Sequence, residues 1–174
     1  MKHLRKYLIS KALTILMLVG LTASYYGQTC ATKLGSEILE GVSEASDRIT
    51  IEQQYMIFMQ YYCEGDFPSV HKLLAKSYLN GLRKNSSKEF SENKRSRYSG
   101  NKNHFISFIP NEISEAGDET PDIWIIRGCL VELLDGERKK VKANLFVWRE
   151  ENRILFSDIS PEIVSMSGAT QKCG

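Results

Sequence analysis

Residues 123–134 read IWIIRGCLVELL, and the dipeptide Asp135-Gly136 follows at once. With the period of two of an extended chain, Trp124, Ile126, Leu130 and Leu134 fall on one face and Ile125, Cys129, Val131 and Leu133 on the other. An antiparallel strand ordinarily keeps one side wet, so a strand apolar on both sides needs a cover on each. Asp-Gly is a strong two-residue hairpin signal, and Glu151-Asn152 is a second turn of the same kind. Residues 104–113 (HFISFIPNEI), 139–149 (KKVKANLFVWR) and 154–159 (ILFSDI) share the period and the Ile, Val, Phe and Trp content of strands. Four strands are therefore expected, the last three as an antiparallel meander.

Upstream the apolar period is helical. Thr50 and Gln53 offer a capping box to a helix over 51–64, on which Ile51, Tyr55, Phe58, Met59 and Tyr62 share a face. Gly65 ends that helix and Asp66 can cap a second, where Pro68 is tolerated in the first turn. Val70, Leu73, Leu74, Ser77 and Tyr78 form its stripe, and Asn80-Gly81 stops it. The basic stretch 83–102 (Arg83, Lys84, Lys88, Lys94, Arg95, Arg97, Lys102) holds a short third helix over 87–98, docked through Phe90. It reads as a solvated surface or as a patch for an acidic partner. Between the first two strands, Glu112, Glu115, Asp118, Glu119 and Asp122 make an acidic connection. Helices followed by a meander give an α+β class: N-terminal helices on a strongly curved, mostly antiparallel sheet of four or more strands.

The N-terminus supplies an address. Lys2, Arg5, Lys6 and Lys11 precede the apolar run ALTILMLVGLTA (12–23), which is short for a bilayer span but suits a cleavable signal peptide. Residues 1–24 are read as that signal, with an uncleaved anchor as the alternative; Gly27, Gln28 and Thr29 do not make a lipobox before Cys30. The product is expected to be exported, periplasmic or secreted. Removing the signal takes four cations from a net charge of +2 and leaves −2, which gives no electrostatic case for nucleic acid. Residues 25–49 read as a linker or weak helix, 50–160 as one domain and 161–174 as a tail.

Four cysteines, Cys30, Cys63, Cys129 and Cys173, suit an oxidising compartment. Three connectivities are open. The preferred one joins core to core (Cys63 with Cys129) and tail to tail (Cys30 with Cys173); the alternative leaves Cys63 and Cys129 as small buried hydrophobes. No two cysteines have metal-ligand spacing, so no metal is expected, and no cofactor motif is present.

The candidate acids and bases are Asp66, His71, His104, Asp122 and Glu132, with Tyr55, Tyr61 or Tyr62 as donors. Asp66 is accounted for as a cap, His71 as a surface residue and Asp122 as loop. Glu132 alone stands on a sheet face among apolar neighbours, where burial would make it a general base; the competing reading is a rim carboxylate paired with Arg127 or Arg149. Tyr55, Phe58, Tyr62, Trp124, Glu132 and Trp148 are the candidates for lining a pocket for a small apolar ligand.

The helix ending in EGDFPSVHKLL (64–74), the short third helix, and the strands CLVELL, NLFVWR and ILFSDI together resemble the nuclear-transport-factor-2-like superfamily, which includes SnoaL-type proteins. The resemblance covers residues 50–159. It implies a cone-shaped sheet around a cavity, dimers through the open sheet face, and functions from isomerases and dehydratases to ligand-binding and scaffold domains. No catalytic set of those enzymes maps onto this chain. The reading is thus a non-enzymatic, exported domain that binds a small ligand or assembles with protein, as a homodimer or with a partner, through the second sheet face. The alternatives are a small lyase or isomerase using a cavity carboxylate, and a membrane-anchored scaffold subunit of an envelope or secretion assembly, like the periplasmic scaffold subunits of type IV systems.

Overall fold

The first four strands of the sheet lie side by side in sequence order, the last three of them joined by two-residue turns that leave no room for a crossover. The computed structural model describes residues 30–81, 86–117, 120, 122–162 and 173. The expected signal peptide, Arg83, Lys84, Asp118, Glu119, Pro121 and most of the C-terminal tail lie outside the described residues. Strands β1 (His104–Glu115), β2 (Ile123–Leu134), β3 (Glu137–Glu150) and β4 (Arg153–Phe156) form one antiparallel sheet in the order β1-β2-β3-β4, and β5 (Ser160–Pro161) pairs with β3 beyond β4. Both predicted turns have two left-handed residues: Asp135 and Gly136 at φ 57° and 82°, Glu151 and Asn152 at 51° and 61°. That geometry matches the twist of the strands it joins. The sheet is curled but not closed. Two register shifts in β1, between Phe105 and Ser107 and between Pro110 and Glu112, insert one extra residue each and locally add twist.

The helices are α1 (Ser36–Leu39), α2 (Ala45–Glu64), α3 (Phe67–Lys72), α4 (Lys76–Gly81) and α5 (Ser87–Arg97). The long helix starts before the expected capping box. Its N-cap is Glu44, and Thr50, inside the helix, donates its hydroxyl to the Ser46 carbonyl at 2.9 Å. Gly65, at φ 68°, closes the other end, with the Asp66 amide reaching back to the Tyr61 carbonyl at 3.0 Å. Asp66 caps α3 as read from the sequence, accepting from the Ser69 amide at 3.3 Å. The single second helix expected there is split. At the break the Phe156 amide donates to the Leu73 carbonyl at 2.9 Å and the Ala75 amide to the Phe156 carbonyl at 2.8 Å. The end of β4 thus takes over the bonds a continuous helix would have made to itself.

The core lies between α2, α3 and one sheet face, where Tyr55, Phe58, Met59, Tyr62, Phe108, Ile126, Leu130, Leu145 and Phe156 are buried. The segment expected as linker belongs to this core from residue 30 on: Leu34, Leu39 and Val42 are buried, and Ala31 bridges to Phe108. Gly41 explains how closely it docks, since a Cβ there would stand 1.8 Å from the Ile113 carbonyl oxygen.

The expected disulfide pairing is corrected. Cys30 is bonded to Cys63 and Cys129 to Cys173, with Cα separations of 5.9 and 6.1 Å. Each tail cysteine joins a core one because Cys63 ends α2 on the helix side, while Cys129 faces the opposite side of the sheet. A core-to-core bond would have to pass through the sheet. Among the described residues no helix is long and apolar enough to cross a membrane.

Candidate functional site

Glu132 sits on the helix-facing side of β2, opposite Phe105 of β1 and Lys139 of β3, and its side chain is 2% exposed. A carboxylate so enclosed survives only if its lone pairs are occupied. Arg97 donates Nε to Oε1 at 3.0 Å and a terminal nitrogen to Oε2 at 2.8 Å, and the Tyr98 hydroxyl donates to Oε1 at 2.5 Å. All three bonds come from the last turn of α5 and its C-cap. The partners expected from sequence are engaged elsewhere: Arg127 with Glu112, Arg149 with Asp47 and Asp122.

One turn back along α5, Lys94 makes a second pair. Its ammonium is 2.6 Å from Asp158 Oδ2 and 5.2, 5.7 and 6.0 Å from the ring centroids of Tyr62, Phe90 and Tyr98. The Tyr62 hydroxyl donates to Asp158 Oδ1 at 2.5 Å, and the Ile159 amide to the same oxygen at 3.0 Å. Phe105 bridges the two halves, 4.8 Å from the Tyr62 ring and 6.3 Å from that of Tyr98. Two carboxylates, two cations and two phenols thus form one charge-neutral network that holds α5 on the sheet. Burial first, then the neighbouring carboxylate, pushes both phenols far above their ordinary range, Tyr62 through Asp158 and Tyr98 through Glu132. Glu132's hydrogen bond to Arg97 in turn raises the guanidinium's pKa. A carboxylate with both oxygens already accepting is poorly disposed to take a proton from a substrate.

The remaining pocket candidates separate by face. Tyr55, Phe58, Tyr62 and Trp124 are buried on the helix side, where the Phe58 ring lies tilted 4.8 Å from that of Phe156 and 5.5 Å from that of Tyr62, and Tyr62 meets the edge of Phe67 at 5.8 Å. The Tyr55 hydroxyl and the Trp124 indole nitrogen are buried without a hydrogen-bond partner among the described residues, and burial holds the Tyr55 phenol well above its usual range. Arg149 lies 5.6 Å over the Trp124 ring. Trp148 is on the opposite face, half-buried, stacked 5.7 Å from Phe146. Of the acid–base candidates, His71 lies 5.7 Å from the Phe90 ring, His104 is exposed at the start of β1, Tyr61 is half-buried, and Asp122 pairs with Arg149.

That outer face is laid out in rows across β1, β2 and β3. His104, Leu133 and Arg138 form one row; Ser107, Val131 and Lys140 the next; then Ile109, Cys129 and Lys142; Glu112, Arg127 and Asn144; Ser114, Ile125 and Phe146; and Ile123 with Trp148, which pairs with Leu155 of β4. Ile109, Ile123, Ile125, Leu133, Phe146 and Trp148 are all only partly buried. A groove of about 300 Å³ opens beside the Cys129–Cys173 bond, between Asn111, Arg127, Lys142 and Glu162.

Arg97, Lys94 and Asp158 escaped sequence reading. The available signal was a helix with almost no apolar anchors whose cations at positions 94 and 97 lie one turn apart, hence on one face. Comparison of the chain with protein-family models, with curated proteins and with solved structures finds no match.

Proposed function

We propose that this chain is an exported interaction domain without catalytic machinery, which assembles with protein, a second copy or a partner, through the outer face of its sheet. The carrying observation is the partly buried apolar strip Ile123, Ile125, Phe146 and Trp148 on the sheet face turned away from α2 and α3, with Tyr78 of α4 6.4 Å from the ring at its Trp148 end. Contiguous aromatic surface of this kind on an otherwise polar molecule marks an interface. Export draws its support from the charged and apolar N-terminus and from two disulfides, which persist in oxidising compartments. The reading without catalysis draws on Glu132, whose oxygens are taken by Arg97 and Tyr98.

The test is light scattering on the mature protein, alone and after recovery from the envelope fraction. Wild type should run as a dimer or in a defined complex, and a Phe146→Ser/Trp148→Ser variant with unchanged unfolding midpoint should run as a monomer. Unaltered assembly in that variant removes the outer face from the interface. Cell fractionation and intact mass test the address, with a mature start near Tyr25 as the expected result.

A further inference from the structure

We infer that the Cys129–Cys173 bond is a site of thiol exchange, at which a small soluble thiol is taken up on Cys173. Both cysteines line the groove of about 300 Å³ on the outer face. Its charged side chains are already engaged, Arg127 with Glu112 and Lys142 and Glu162 each with an interaction as well, so the groove holds out no spare charge. What it holds out is a disulfide with unequal ends. Cys173 is partly exposed and is the last residue but one, whereas Cys129 on β2 is only 7% exposed. Asn111, also in the groove, is the extra residue of the β1 bulge between Pro110 and Glu112, and bulges re-aim a side chain out of its regular row. Its amide nitrogen donates to Cys129 Sγ at 3.9 Å. A donor aimed at one sulfur favours that sulfur as the leaving one, because the thiolate it becomes is the better acceptor.

The step balances with the entering thiol as the sole co-reactant. Its thiolate attacks Cys173 Sγ, forming a new S–S bond there while the Cys129–Cys173 bond breaks. The electron pair passes to Cys129 Sγ, which takes from water the proton that the entering thiol released. One disulfide replaces another. The product persists because little draws Cys173 back: among the described residues its amide's bond to the Lys140 carbonyl, at 3.4 Å, is the hydrogen bond that holds it. β5 and the Glu162 amide, which donates to the Lys142 carbonyl at 2.8 Å, stay paired with β3 when the disulfide opens. The terminus thus leaves with its adduct and the sheet remains. The Cys30–Cys63 bond differs. Buried Leu34, Leu39 and Val42 and the Ala31 bridge to Phe108 keep Cys30 beside α2, so an opened bond recloses at high effective concentration and expels the small thiol.

The probe is a glutathione buffer of reduced and oxidised forms, added to the mature protein, quenched with acid at intervals and read by intact mass and non-reducing peptide mapping. Expected are one glutathione per chain, carried on Cys173, with Cys129 recovered as the thiol and the far-ultraviolet circular dichroism unchanged. Cys30–Cys63 should still be closed after about ten times as long. Asn111→Ala, at an exposed position, should slow uptake about fivefold, the worth of one hydrogen bond, without moving the unfolding midpoint. Glutathione on Cys129 in preference to Cys173, equal opening of the two disulfides, uptake only once denaturant unfolds the chain, or a wild-type rate in Asn111→Ala overturns the inference. So does opening by the dithiol protein thioredoxin where glutathione leaves the bond closed, since the reactant is then not a small thiol.

Discussion

Replacing Arg97 with Met should destabilise the domain more than replacing its partner Glu132 with Gln, although both changes delete the same ion pair. The asymmetry follows from exposure. Arg97 is 43% exposed and can return its guanidinium to water when Glu132 is lost; Glu132 is 2% exposed and cannot follow. In Glu132→Gln the amide oxygen can still accept, but the NH2 group that replaces the second oxygen cannot accept from Arg97, so one charge-assisted bond is lost and the others weaken, costing about 2 kcal/mol. In Arg97→Met, a buried carboxylate keeps only the Tyr98 hydroxyl, and removing one partner of such a pair costs about 3–5 kcal/mol. Combining the two leaves a neutral amide beside Tyr98, so the double variant should be more stable than Arg97→Met alone, which requires a coupling larger than the about 2 kcal/mol that Glu132→Gln costs by itself. Urea unfolding with the disulfides intact measures all three, and an unchanged m-value shows that the same cooperative unit is being compared. A cost below about 1 kcal/mol for Arg97→Met, or additivity in the double variant, would refute the reasoning, because an enclosed carboxylate cannot lose its paired cation so cheaply.

Three further outcomes are expected. Non-reducing peptide mapping should recover Cys30 linked to Cys63 and Cys129 linked to Cys173; with sequence separations of 33 and 44, loop closure makes each bond worth about 4 kcal/mol on the chain-entropy account, so Cys→Ala pairs should lower the denaturation midpoint by similar amounts. Tyr55→Phe should be neutral or stabilising by up to about 1 kcal/mol, since its hydroxyl is buried without a partner among the described residues; a clear loss of stability would mean the hydroxyl is satisfied after all. Stability should fall as pH rises above about 10, where phenols of the unfolded chain ionise while buried Tyr55 and Tyr62 keep their protons; at about 1.4 kcal/mol per pH unit for each, unfolding midpoints should drop steeply, with Tyr78, pushed up to about 12 by burial, adding a smaller part. Phenolate absorbance that develops in step with unfolding, rather than before it, is the signature to look for.

Local rules carried the fold well where local energetics decides. The turns at 135–136 and 151–152, the cap at Asp66 and the stop at Gly65 depend on a few neighbouring residues, and each stands where its chemistry required. Features settled by partners distant in sequence were not legible in the same way. Thr50 looks like a cap, yet Leu39 and Val42 are buried and the long helix extends back to Ala45, well before Thr50. Leu73 and Leu74 look helical until β4 supplies the Leu73 carbonyl and the Ala75 amide with better-placed partners. The cysteines failed for a topological reason: sequence separates tail from core, but only the sheet separates Cys63 from Cys129.

The candidate site shows the same division with a functional consequence. Glu132 was conspicuous because a carboxylate among apolar strand residues demands a partner, but the partner came from a helix 35 residues away in a segment that reads as solvated surface. Lys94 and Arg97 turn inward and fasten α5 to the sheet, while Lys88, Arg95 and Lys102 of the same basic stretch are exposed. Tyr55, Phe58, Tyr62 and Trp124 are buried on the helix side, while Trp148, one strand position beyond Val147, points the other way. Period-two alternation thus puts the two tryptophans on opposite faces: Trp124 among the core residues, Trp148 between Phe146 and Tyr78 of α4, at 5.7 and 6.4 Å. Exchanging their roles is impossible without a one-residue slip of β3 against β2, which would bury Lys142 and Asn144 in place of Ala143 and Leu145.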